Sequence, residues 1–182
     1  MGFEGCAGLV AAARCVNMAV PNPAAASPLF LREPEIRRGV ELLYFGYSHM
    51  TRAIDDELGL QGLGRAHHRA LYFIARQPDL TVSELLKLLA VTKQSLGRVL
   101  NELAGRGLVE QRAGVSDRRQ RLLRLTAEGA ALEARLFDAL REKVSAAYAQ
   151  AGQGAVAGFW QVLEGLIPAS EHGRVFGLRK EG

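Results

Sequence analysis

The sequence predicts a mainly α-helical protein carrying two short β-strands. Three observations point there. Apolar side chains recur at steps of three or four along most of the chain, the spacing of one buried stripe on a helix. Ala and Leu, both strong helix formers, bias an apolar share of 48%. Two short runs, Leu108 to Arg112 and Arg121 to Leu125, read instead as strands on either side of a polar loop from Ala113 to Gln120. At 182 residues the chain is long enough for one domain with tails. With 23% charged residues the composition is that of a soluble globular protein and excludes full disorder. No apolar stretch reaches the ~18–20 residues of a membrane span.

Each element has its own local signal. Residues 1–30 hold Pro21, Pro23 and Pro28 without sustained periodicity and read as a poorly ordered leader. From Glu35 to Leu58, the residues Ile36, Val40, Leu43, Tyr47, Met50, Ile54 and Leu58 predict one long helix. Gly59, Gly62 and Gly64 interrupt it, and a second helix covers Arg65 to Arg76, ending before Pro78. Thr81, followed three residues later by Glu84, is a capping-box pattern that opens a short helix to about Leu89. Ala90 and Val91 are too few for a loop, and Thr92 can cap the next helix, whose stripe is Leu96, Val99, Leu100 and Leu103. Gly105 and Gly107 end that helix before the strand pair. From Thr126 a long helix carries Leu132, Leu136, Leu140 and Val144 toward about Gln150, and a shorter one carries Val156, Phe159, Trp160, Leu163 and Ile167 to Pro168. Residues 169–182 read as a tail.

The charge is unevenly distributed. The net charge is +4, but residues 92–124 hold eight positive and three negative side chains, a net of +5, and the rest of the chain nets −1. Such a patch suits a polyanion, because neutralising phosphates supplies most sequence-independent nucleic-acid affinity. The helix after the tight turn presents Thr92, Lys93, Gln94, Ser95 and Arg98 near its start. Arg and Lys can engage guanine, Gln can pair with adenine, and a helix fits the major groove, so this is the recognition helix of a helix-turn-helix. Gly97 leaves room for close approach to the duplex. The strand pair that follows carries Arg112, Asp117, Arg118, Arg119 and Arg121 on a hairpin thin enough for a minor groove, where arginine is favoured. The carboxylate of Asp117 can brace one guanidinium.

Thr81-Val82-Ser83-Glu84-Leu85, Val91-Thr92-Lys93-Gln94-Ser95-Leu96 and the wing Asp117-x-Arg119, leading into Leu123-Arg124-Leu125-Thr126, resemble the MarR family of bacterial transcriptional regulators. The match spans about residues 35–168. Gly64-Arg65-Ala66-His67-His68-Arg69-Ala70 with Ala155-Val156-Ala157-Gly158-Phe159 resembles its PetP-type branch. The resemblance implies a winged helix-turn-helix with a two-stranded β wing and a helical dimerisation region formed by the first and last helices. In this reading residues 31–168 form the domain, with a DNA-reading unit at about 64–125 and dimerisation helices at about 35–58 and 126–167. Arg119 becomes the minor-groove arginine, with Asp117 as its brace. The expected protein is a cytoplasmic homodimer that binds a pseudo-palindromic site on double-stranded DNA. Ala90 departs from the family in a turn where glycine is frequent, and the leader has no family counterpart.

The same resemblance implies a small, often phenolic or otherwise aromatic, ligand between the dimer helices and the DNA-reading unit, with Tyr44, Tyr47, His49, His67 and His68 as candidate lining. Successive helical residues diverge by about 100°, so His67 and His68 do not share a direction. Local carbonyls or solvent would satisfy both in the simpler reading. Cys6 and Cys15 lie in an Ala/Gly-rich stretch without partners at ligand spacing and suggest neither a disulfide framework nor a metal site. Glu4 and Arg14 are out of place in a signal peptide. No catalytic motif is present, and Asp55-Asp56-Glu57 reads as a solvated helix end, so neither enzyme activity nor a cofactor is expected. The alternative is an architectural protein that binds DNA without sequence preference. Lys93, Gln94 and Arg98 discriminate, because a sequence reader needs groups that face bases.

Overall fold

The helix expected over residues 35–58 divides in two: α1 spans Glu33–Arg52 and α2 spans Asp55–Leu60. No Gly or Pro marks the break at Ala53 and Ile54. The hydroxyl of Thr51 donates back to the carbonyl oxygens of Tyr47 and Ser48 at 3.0 and 3.1 Å, a pairing that bends helices. The amides of Ala53 and Ile54 then bond only three residues back, to Met50 and Thr51. Burial rewards the bend, since Ile54 and Leu58 are both fully enclosed.

The structure is a computed structural model that describes residues 31–114 and 119–177, except for the side chains of residues 174–176. The leader, with Cys6 and Cys15, lies outside the described residues, as do Asp117 and Arg118. The chain forms two units, Met1–Leu43 and Tyr44–Gly182. Within the first, α1 begins with an exposed pair in which Arg37 meets Glu33 one turn back at 2.6 Å.

After α2, α3 spans Arg65–Arg76, β1 Leu80–Thr81, α4 Val82–Leu89 and α5 Lys93–Gly105. Thr81 caps α4: its hydroxyl oxygen accepts from the Glu84 amide at 3.2 Å, and the Glu84 carboxylate accepts from the Thr81 amide at 2.8 Å. Thr92 caps α5 in the same way, accepting from the Ser95 amide at 3.2 Å. Ala90 makes the turn between the two helices tight by adopting a left-handed backbone, φ 50°.

The strands β2 (Val109–Ala113) and β3 (Arg121–Leu125) pair antiparallel from Val109 opposite Leu125 to Ala113 opposite Arg121. The expected two-stranded wing is part of a larger sheet. β1 pairs with the free edge of β3, Leu80 opposite Leu123, so the order is β1-β3-β2. Two residues, the second of them the cap of α4, carry no alternation, which is why β1 leaves no sequence signal.

α6 spans Ala127–Ala151, α7 Gln153–Gly165 and α8 Ala169–Gly177. Thr126 caps α6, accepting from the Gly129 amide at 3.0 Å and donating to the Gly107 carbonyl at 2.6 Å. Gly129 is required here, because a β-carbon would lie 1.9 Å from the Leu108 carbonyl oxygen. The expected tail after Pro168 is helical as far as Gly177. Its first turn opens with the Glu171 amide donating to the Pro168 carbonyl at 2.8 Å, while Gly173 and Gly177 mask it by lowering propensity.

The core gathers Leu71 and Ile74 of α3, Leu85 and Leu89 of α4, Leu96, Leu100 and Leu103 of α5, Leu123 of β3, and Leu132 and Leu136 of α6. α7 buries none of its residues. No helix among the described residues is long and apolar enough to cross a membrane.

Candidate nucleic-acid interface

With Leu96, Leu100 and Leu103 buried against the core, α5 has only one way to face outward. Thr92, Lys93, Gln94, Ser95 and Arg98 are all exposed. Gln94 and Arg98 lie about 40° apart around the axis, on the side away from the leucines. The Thr92 hydroxyl also donates to the Ser95 hydroxyl oxygen at 2.9 Å. Apart from its chain neighbours and the backbone of its own helix, no described atom lies within 4 Å of where a β-carbon on Gly97 would sit.

Arg106, Arg112 and Arg124 of the basic segment are committed within the protein. Arg106 pairs with Glu102 at 3.2 Å and donates to the carbonyl oxygens of Gln61 and Gly62. Arg112 pairs with Glu110 at 2.6 Å on the same face of β2. Arg124 pairs with Asp79, whose own backbone is left-handed. Lys93, Arg98 and Arg121 are exposed and form no ion pair among the described residues. Arg119 is exposed beside the base of the hairpin loop, which the Gly114 amide closes by donating to the Gln120 carbonyl at 3.0 Å. Outward positive charge therefore concentrates at the start of α5 and at the end of the hairpin, a distribution the bare count of eight cannot show.

A cavity of about 610 Å³ lies beside α3 and α6, lined by Tyr47, Thr51, His68, Tyr72, Phe137 and Tyr148 among others. Of the five residues expected to line such a space, it brings together Tyr47 and His68. Tyr44 and His49 are exposed elsewhere on α1, and His67 turns away to α5. There its Nδ1 accepts from the Gly64 amide at 3.0 Å and its Nε2 meets the Glu102 carboxylate at 2.9 Å. Because Nδ1 accepts, the proton sits on Nε2, which donates to Glu102. The Glu102 carboxyl is held below its ordinary range by this bond first and by Arg106 second.

His68 is 8% exposed, and its Nε2 has no partner among the described residues. Burial lowers its pKa, so the ring is held neutral. Several other polar groups around the cavity are engaged. Arg69 donates to the Leu89 carbonyl at 2.9 Å, Arg141 pairs with Asp138, and the Tyr148 hydroxyl accepts from the Trp160 indole at 2.9 Å. Tyr72, Phe137 and Tyr148 are lining residues that the sequence reading missed. Tyr72 stands one helical turn after His68, and that spacing is the available signal.

Residues 61–120 match the sequence model of a family described as MarR family. Over 145 residues, 80% of this chain and 87% of the other, the sequence is 49% identical to the HTH-type transcriptional regulator PetP of Rhodobacter capsulatus. The chain belongs to the MarR family. It is a DNA-binding transcriptional regulator. Among solved structures, a mutant Escherichia coli MarR complexed with operator DNA shares 25% identity at a TM-score of 0.61, over 78% of this chain and 100% of that one. A Mycobacterium tuberculosis MarR family protein in complex with p-aminosalicylic acid shares 28% identity at a TM-score of 0.51, over 69% and 95%. A MarR family regulator from Silicibacter pomeroyi has the same fold, with a TM-score of 0.62 and 20% identity over 78% and 94%. MarR structures thus account for the helix-turn-helix and its attached hairpin.

Proposed function

We propose that this MarR family regulator reads a pseudo-palindromic operator as a homodimer. Each α5 would enter a major groove and each β2–β3 hairpin the adjacent minor groove. One observation carries the reading: Lys93, Gln94, Ser95 and Arg98 stand exposed on a helix whose rotation is fixed by three buried leucines. Lys93 and Arg98 suit guanine or phosphate, Gln94 suits adenine, and Thr92 and Ser95 suit phosphate at the helix start. Arg112, Asp117, Arg118, Arg119 and Arg121 make up the wing, with Arg119 as the groove-entering arginine. Complex formation with operator DNA by Escherichia coli MarR supports this placement.

The dimer reading rests on apolar surface. Tyr44, Phe45, Phe159, Trp160, Val162 and Leu166 are 44–75% exposed, and α1 and α7 would cover these faces with those of a second copy, giving two reading helices about one DNA turn, ~10 bp, apart. Selection of bound fragments from genomic DNA tests the whole reading. A recurrent inverted repeat is expected, and equal affinity for scrambled duplex at moderate salt would leave an architectural role instead. Arg119→Ala should weaken the selected duplex by about 1–3 kcal/mol, the scale of one good contact.

The cavity supports modulation by a small ligand. Its orphaned His68 Nε2 is a buried polar group that a hydroxyl- or carboxyl-bearing aromatic molecule would satisfy, and the relative that binds p-aminosalicylic acid supplies a probe. Trp160, the only tryptophan, bonds to the cavity-lining Tyr148 and is a natural reporter. Titration with p-aminosalicylic acid should give a saturable fluorescence change accompanied by a change in operator affinity. A flat titration speaks against this ligand class.

A further inference from the structure

Four helices of the second unit are joined by a run of polar side chains that the DNA-reading surface itself does not use. It starts on α6, where Arg135 meets Glu57 of α2 at 3.1 Å. Two residues before Glu57, Asp55 takes two bonds from the Arg65 guanidinium of α3, at 2.8 and 2.6 Å. Two residues after Arg65, His67 holds Glu102 of α5. The run closes where Arg106, just past α5, grips Glu102 and the carbonyls of the α2–α3 corner.

These links are poor sources of stability. Apart from the His67 ring, their side chains are 33–55% exposed, and exposed ion pairs contribute at most about 1 kcal/mol each. Direction is what they add. The leucine stripe of α5 fixes which face turns inward, but apolar contact has no preferred angle and leaves small rotations and tilts about that setting weakly constrained. A hydrogen bond does have one. Glu102 lies one turn from Arg98 and two turns from Ser95 on the same flank of α5, so a link at Glu102 sets the rotation of the flank those side chains occupy.

We infer that this polar run is a positioning linkage: through α2 and α3 it transmits the placement of α6 to α5, with His67 and Glu102 as its last joint and Glu57 as its first. The inference rests on the reading that α5 faces bases. His67 and Glu57 are positioning residues with no contact to DNA of their own. The link departs from the expected role of His67 as a ligand contact, and the adjacent His68 leaves α3 toward the cavity instead.

The test compares affinities of the full-length protein for the genome-selected duplex and for its scrambled version. Glu102→Ala and Glu57→Ala should each lower the ratio of the two affinities by about 2- to 30-fold, the range for residues that act through others. The melting temperature should move by less than about 4 °C, and Glu102→Gln, which can still accept from His67, should restore the ratio. A merely structural contact would instead lower both affinities together with the melting temperature. That result, or an unchanged ratio in either alanine variant, overturns the linkage. Amide hydrogen exchange follows the joint without DNA, so it still decides if the wild-type protein fails to discriminate and the base-reading proposal itself falls. Exchange over 93–105 should quicken in both alanine variants while exchange over 127–140 holds, and unchanged exchange over 93–105 overturns the linkage.

Discussion

The stretch from α3 to β3 and the helix α7 draw on the same residue types and end in opposite states. In the first, Leu71, Leu85, Leu103 and Leu123 are fully buried, and the helices lock to one another within a single chain. In α7 no residue is buried, and Val162 and, at the C-cap, Leu166 stand 61% and 64% exposed. Hydrophobic burial is roughly proportional to apolar area removed from water, so one protomer realises that gain in the first region and leaves it unrealised in the second. Periodicity announces an apolar face in both cases. Only the tertiary arrangement shows whether the chain covers that face by itself.

Substitutions sharpen this contrast, beginning with the largest effect. Gly129→Ala would drive a methyl into the Leu108 carbonyl oxygen, which already accepts from the Thr126 amide at 3.1 Å. A backbone group cannot step aside as a side-chain end can, so a loss of about 3 kcal/mol is expected in urea unfolding. Leu103→Ala should cost a comparable amount, about 2–5 kcal/mol, by opening a cavity in the closed region. If α7 lies in the proposed homodimer contact, Val162→Ser with Leu166→Ser should retain the helical circular-dichroism signal yet reduce the mass seen by light scattering from twice 19.7 kDa toward one chain. Were those serines to melt the protomer instead, α7 would belong to the closed region after all.

A smaller effect comes from His68. Its folded-state pKa lies below the ordinary 6.5 because burial disfavours the charged ring. The unfolded chain therefore takes up the proton first as pH falls below about 6.5. Stability is full above that value and declines as pH falls through the folded-state value. His68→Gln should flatten unfolding free energy between pH 7.5 and 5.5, and a slope equal to wild type would show that His68 is not its source. Smallest is Ala90→Gly. It trades a left-handed alanine for a residue at ease there and should gain about 0.5 kcal/mol, since part of the relief is offset by a more flexible unfolded chain.

Legibility followed the range of the interactions. The limits of α3, the end of α5 and the whole of β3 could be read because their determinants are neighbours: Pro78 after α3, Thr92 and Gly105 around α5, and turn residues before Arg121. The break after Arg52 could not, because Thr51 bends the helix only where the burial of Ile54 makes that worthwhile. β1 could not either, since its partner lies more than forty residues away. For the candidate interface, residue type and spacing marked the outward face of α5, but only coordinates show that Arg106, Arg112 and Arg124 are held by Glu102, Glu110 and Asp79. The cavity was half legible. Tyr47 and His68 come from one local pattern each, while Phe137 and Tyr148 reach it from a distant helix.

The pairing of β1 with β3 bears on how a complex would fall apart. β1 runs directly into the cap of α4, and β3 is the return strand of the hairpin, so the helix pair and the wing hang from one hydrogen-bonded frame. A duplex gripped by both would not shed the wing first and the helix later. Release should follow a single exponential in stopped-flow competition, and Arg119→Ala should raise its rate without adding a second phase.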